Sequence, residues 1–126
     1  MRERARDKGR LEDMLQYASN AIEFVRDVSF EDFAADKLRY FAVMKNVEIV
    51  GEAANMLTKD FCAFHPDLPW TQITGMRHVL VHGYAQVSDI KLWRTAKKDL
   101  PTLCDAIQKL LAETDWQQWE QQELQA

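Results

Sequence analysis

Apolar residues near the start of the chain fall at helical spacing. Leu11, Met14, Leu15, Ala18, Ile22 and Val25 recur every three or four positions, which predicts an amphipathic helix ending near Val28. Ser29 followed by Asp32 resembles a capping box with Asp in place of the usual Glu or Gln. A second, long helix is expected from there to about Leu57, with a break near Asp36. Lys59 to Pro69 holds two of the three prolines and reads as a loop. Pro69 suits the first turn of a third helix running from Trp70 to about His82, with Gly83 ending it in the left-handed conformation. Ser88 or Asp89 can cap a fourth helix. Pro101 should kink or divide that helix near Leu100, because proline removes an amide donor and clashes with the preceding turn. Apolar spacing resumes at Leu103, Ile107, Leu110 and Leu111. The pattern predicts an all-α fold, an antiparallel helical bundle in a single domain over residues 1–126, with 113–126 as an acidic C-terminal extension.

The second helix is unusual. Wound at ~100° per residue, it gathers Lys45, Glu48, Glu52 and Asn55 into one narrow stripe. Tyr40, Val43, Val47, Ile49, Val50, Ala53, Ala54 and Leu57 make most of the remaining arc apolar, about twice the width that a helix on the rim of a bundle needs. Such a helix is either central or also faces a partner. Arg39 and Asn46 interrupt the apolar arc, so each should have a specific hydrogen-bond partner.

A hydrophobic fraction of 47% and a charged fraction of 29% are ordinary for a soluble globular protein, and 4 Gly with 3 Pro leave little turn material for a many-stranded sheet. Cys62 and Cys104 lie far apart, which fits two reduced, buried thiols better than a disulfide framework or zinc knuckle. The charged N-terminus has no apolar stretch behind it, and the longest apolar run, Tyr40 to Met44, is far below the ~20 residues that span a bilayer. A cytoplasmic protein with no membrane partner is expected. The net charge of −4 is unevenly spread. Glu113, Asp115, Glu120 and Glu123 stand in the last fourteen residues with no Lys or Arg. Between Gly75 and Lys98, by contrast, Arg77, Lys91, Arg94, Lys97 and Lys98 face only Asp89. That basic segment surrounds two of the three histidines; from charge alone, a solvated helix face is the simpler account.

The decapeptide from Gly75 to Tyr84 concentrates the candidate chemistry: Arg77, His78, His82 and Tyr84. An arginine can grip a phosphate with two parallel N–H bonds, and an imidazole can move a proton near neutral pH. On a continuous helix Arg77 and His82 would stand ~140° apart. If the helix ends at His82, that imidazole sits at a frayed terminus, free to swing beside Arg77, and the negative helix end favours its protonated form by ~0.3–1 kcal/mol. The plainer role for His82 is to cap its own helix carbonyls, and for Tyr84 to pack under the turn. His78 and His82, four apart, invite a zinc reading. Val79 stands where the metalloprotease pattern needs Glu, and no third ligand is evident, so no metal is expected. RNA cleavage by transesterification needs a base for the 2′-hydroxyl, an acid for the departing 5′-oxygen and a cation for the charged phosphorane between them. One His82 cannot readily serve both sides of a phosphate. A two-fold homodimer would supply two.

Four blocks in order resemble a known family. Arg77-x4-His82-x-Tyr84 is similar to the signature of HepT-like toxins, members of the HEPN superfamily of helical ribonucleases. Asn46-Val-Glu-Ile-Val-Gly-Glu52-Ala-Ala resembles that family's helix preceding the site. Pro66-x-Leu68-Pro69-Trp70-x-x-Ile73-x-Gly75-Met76-Arg77 resembles its approach to the signature, and Trp93 with Leu100-Pro101-x-Leu103 its last helices. The resemblance implies a helical bundle and a homodimer with catalytic Arg77 and His82 of both chains lining one cleft, supported by His78, Asn46 and Glu52. It also implies a metal-independent endoribonuclease that acts on cellular RNA without a cofactor and leaves a cyclic phosphate. The implied partner is a nucleotidyltransferase antitoxin of the MntA type, which transfers AMP from ATP to Tyr84. An added phosphodiester there would block RNA and set negative charge beside Arg77. The residue after the signature arginine is often Asn or Asp; here it is His78, which can orient Arg77 or the RNA or carry a proton itself. The competing expectations are an inactive helical dimer that binds a nucleotidyltransferase, and a nucleotide-binding regulator using the basic segment. The acidic tail with Trp116 and Trp119 is expected to be a frayed extension of the last helix, or to dock on the antitoxin or the basic cleft.

Overall fold

A computed structural model describes residues 3–83 and 87–125, with side chains to residue 121. The described residues are helical, without strands. A short 3₁₀ turn, Arg4–Arg6, leads into α1 (Asp7–Phe24), α2 (Phe30–Ala35), α3 (Lys37–Asn55), α4 (Lys59–Phe64) and α5 (Trp70–His82). Then follow α6 (Asp89–Arg94), a π-helical segment (Thr95–Asp99), α7 (Leu100–Glu113) and α8 (Trp116–Gln125). No described helix is long and apolar enough to cross a membrane.

Polar caps cut the bundle into these pieces. Ser29, Asp36, Thr58 and Ser88 each accept the N–H three residues on, at the starts of α2, α3, α4 and α6. The break expected near Asp36 is therefore real. The backbone N–H of Arg39 holds the Asp36 carboxyl below its ordinary range. That contribution is present at neutral pH and lost as pH falls through the lowered folded-state value. Three expectations need correction. The first helix ends at Phe24 rather than Val28, because Asp27 turns the chain at a φ of 56°. The loop expected from Lys59 to Pro69 contains α4, since Thr58 caps it and Phe61 anchors it in the core. The acidic tail is not a frayed extension of α7 but a separate helix, with Trp119 buried. Pro101 does divide the chain as expected. With no N–H at the start of α7, the preceding turn widens, and Leu100 N–H bonds to Thr95 O five residues back.

α3 is the central helix, packed on α1 along one side and on α5 along another. Met14, Ala18, Val43, Val47, Val50, Leu100 and Ile107 fill the core around it. Each fully buried large side chain, such as Phe33 or Phe61, contributes about 1.5–3 kcal/mol by leaving water. The two polar residues in its apolar arc are partnered. Arg39 Nη1 donates to Phe24 O at 2.6 Å, and Asn46 Nδ2 donates to Ala42 O at 2.7 Å while Asn46 Oδ1 accepts from Asn20 Nδ2. Cys104 is buried, which pushes its thiol up, whereas Cys62 is only half-buried.

The two ends of the chain meet at Asp7. Its buried carboxylate accepts from Thr58 N–H at 2.9 Å, Thr58 Oγ1 at 2.7 Å and Trp119 Nε1 at 2.9 Å. Arg4 stacks over the Trp119 ring at 4.0 Å and pairs with Asp60 at 2.8 Å, while Phe61 stacks on Trp116. Replacing Asp7 by Ala orphans three donors at once. Asp7→Ala should lower unfolding free energy by about 1–3 kcal/mol, and truncation after Glu113 should lower it too, both read from the urea midpoint. Unchanged midpoints would show that docking of α8 contributes nothing to stability.

Candidate functional site

A glycine sets the position of the site. Gly51 lies buried in the middle of α3, where glycine costs a helix roughly 0.5–1 kcal/mol relative to Ala. Its missing side chain is what lets α5 come close. A Cβ at this position would collide with Arg77 Cβ and sit 3.0 Å from Ile73 O. Neither of these atoms can swing aside. The approach fixes α5 in rotation as well as distance, and Arg77 lies half-buried against α3, its Nε in an ion pair with Glu52 Oε2. The attraction is Coulombic, without a directed hydrogen bond from Nε. With the Glu52 side chain 47% exposed, the pair is screened and worth about 0–1 kcal/mol, so its consequence is orientation of the guanidinium rather than stability.

Fixing Arg77 against α3 turns the next strip of α5 outward. His78 and His82 are exposed on one face, with ring centroids 4.8 Å apart. The helix does end at His82, as expected, but Gly83 is not left-handed. Its φ is −116°, and its N–H completes an ordinary helical bond to Val79 O at 2.8 Å. His82 therefore stays in the helical phase, about 140° round from Arg77, and meets His78 instead.

The residues that stand out in the sequence thus form two pairs, Arg77 with Glu52 and His78 with His82. Asn46 does not join them, because its amide is spent on tying α3 to α1. Tyr84 lies outside the described residues. No group of three or more His, Cys, Asp or Glu side chains that could hold a metal ion is present among the described residues. The positioning role of Gly51 does not show in the motif itself; a glycine inside an otherwise strong helical pattern is its only signal.

An arginine that can hold an anion and exposed imidazoles on the same helix are equipment for acid–base chemistry on a phosphodiester. The chain belongs to a family of ribonucleases. The family described as "Ribonuclease HepT-like" matches residues 14–110, a span that takes in both pairs. Among its relatives is a protein of Thermococcus cleftensis named "Probable ribonuclease HepT", 41% identical over 103 residues that cover 82% of this chain and 94% of that one. Two proteins named as candidate RNases are also similar. One, from Methanocaldococcus jannaschii, is 35% identical over 76% of this chain and 88% of its own length. The other, from Caldanaerobacter subterraneus subsp. tengcongensis, is 39% identical over 80% and 90%. No solved structure matches the chain significantly.

The two members of the α3 block should respond differently to substitution. Gly51→Ala forces α3 and α5 apart and should cost about 1–3 kcal/mol in unfolding free energy, the range for overpacking. Glu52→Gln should cost under about 1 kcal/mol, as expected for a screened pair. Equal costs in chemical denaturation would contradict so close an approach of the two helices.

Proposed function

We propose that this protein is a metal-independent endoribonuclease that works as a homodimer, with Arg77 and His82 of two copies around one scissile phosphate. The observation that carries the proposal is the split between the two pairs. Within one chain Arg77 is held on the α3 side of α5, while His82 stands in the open about 140° away. Transesterification needs proton transfer on both sides of the phosphorus. One imidazole removes the 2′-hydroxyl proton as that oxygen attacks, and a second protonates the 5′-oxygen as the P–O5′ bond breaks, leaving a 2′,3′-cyclic phosphate. A guanidinium neutralises the charge that develops on the equatorial oxygens. Two copies related by a two-fold axis supply both imidazoles from one gene. Surface composition favours such a partner: Leu38 and Phe41 on α3 are 87% and 57% exposed. His78 takes a positioning role toward His82, and Glu52 toward Arg77.

The resemblance to HepT-like toxins extends the proposal to regulation. The protein acts as the toxin of a pair and is neutralised by an MntA-type nucleotidyltransferase. In that step the Tyr84 phenolate oxygen attacks the α-phosphorus of ATP, pyrophosphate leaves, and AMP remains on the tyrosine. Tyr84 stands two residues beyond His82 in sequence, so the added phosphodiester puts negative charge next to the cleft and competes with RNA.

Arg77→Ala and His82→Ala should each lower kcat/KM for RNA by about 10²–10⁴-fold in the presence of EDTA, with an unchanged circular dichroism spectrum. Both should also relieve growth inhibition in cells lacking the partner. Undiminished cleavage by the two variants would overturn the assignment. An inactive parent that still co-purifies with a nucleotidyltransferase would identify a binding module instead. Mass spectrometry of the co-expressed protein checks for AMP on Tyr84.

A further inference from the structure

An open groove of about 500 Å³ lies between α5 and α6, lined by Gly75 and Val79 of α5, by Ser88, Lys91 and Arg94 around α6, and by Asp99 of the π segment. Three observations give it a purpose. The first is Gly75. Gly51 answers to a neighbouring helix, whereas a Cβ on Gly75 would meet nothing within 4 Å. A glycine in mid-helix weakens the helix, and no atom of the described residues requires this one. The open strip of backbone instead admits something from outside the chain. The second is charge. Arg26, Arg39, Lys45 and Arg77 each hold a carboxylate within ion-pair distance. Lys91 and Arg94 are exposed and have none among the described residues. They stand three apart, on one face of α6. Asp99 is the one carboxylate in the lining, so the groove keeps a net positive charge.

The third is phase. Taking Arg77 as zero and ~100° per residue, His78 and His82 fall near 100° and 140°, and Gly75 and Val79 near 160° and 200°. Met76 and Leu80, which also line the groove, fall near 260° and 300°, so the α5 wall runs away from the histidines and its Gly75 edge borders them. We infer that this groove is a subsite for the RNA backbone: Lys91 and Arg94 hold a phosphate flanking the scissile one, and Gly75 leaves room for the ribose-phosphate to lie against α5. The inference rests on the ribonuclease proposal above and extends it from chemistry to substrate positioning.

The test uses the full chain and a 2′-O-methyl oligoribonucleotide, which has no 2′-hydroxyl and cannot be cleaved by transesterification. Binding is followed by fluorescence anisotropy over a range of salt. The double variant Lys91→Gln, Arg94→Gln should bind at least about tenfold more weakly, with a salt slope shallower by roughly one for each phosphate it no longer neutralises. Gly75→Ala should also bind more weakly while melting at or above the parent temperature, the opposite of a merely damaged helix. Cleavage of a dinucleotide too short to reach the groove should be unchanged in the double variant. Parental affinity and slope in that variant would overturn the subsite, as would failure of the parent to bind the oligonucleotide. A Gly75→Ala variant that loses self-association but binds RNA normally would assign the groove to a second copy instead. If the parent binds the oligonucleotide but leaves unmodified RNA intact, the nuclease proposal falls and the groove stands. If it cleaves RNA while the groove variants bind like the parent, the groove falls and the nuclease proposal stands.

Discussion

The approach of α5 to α3 at Gly51 is the constraint on which the rest of the site depends. Side chains normally keep helix axes 8–10 Å apart, and removing one at the crossing lets the backbones come closer. Here the space goes to the stem of Arg77. Because a helix is rigid over thirteen residues, fixing one position fixes them all. Arg77 faces Glu52, Leu80 faces the core, and the histidines face outward without needing neighbours of their own. A single glycine on a neighbouring helix thereby decides where two imidazoles sit.

The same economy shapes the frame around it. α3 touches α1 and α5 on different sides, which accounts for its broad apolar arc. Its two interrupting polar residues act as ties: Arg39 closes the end of α1, and Asn46 fastens the middle of α1. Trp93 Nε1 reaches Val28 O at 3.2 Å and so pins α6 under the α1–α2 turn. The elements bearing the basic residues and those bearing the histidines are therefore seated on one central helix or its immediate neighbours.

Much of this is legible in the residues. Helix spacing and the Ser29, Asp36 and Ser88 caps locate most boundaries, because a cap acts through a residue only three positions away. Trp70–His82 is recovered whole, since it lies between a proline and a glycine. What stays hidden depends on distant partners. α4 is too short for periodicity to register, and it exists because Thr58 caps it and Phe61 is buried. α8 reads as a polar tail because only the far end of the chain gives Trp119 somewhere to go. At the site, the types and spacing of Arg77 and His82 are plain, but their division into separate pairs is not. That division follows from Gly83 continuing the helical bond to Val79 where a left-handed turn is expected.

The hydrogen bond from Trp119 to Asp7 joins residues 112 positions apart. A link of that separation carries a large loop-closure entropy and belongs late on any folding route. During synthesis it cannot form until α8 has been made, whereas α3 and α5 can pack as soon as both have emerged. The nascent chain can thus bring Arg77 onto Glu52 well before its own ends are fastened together.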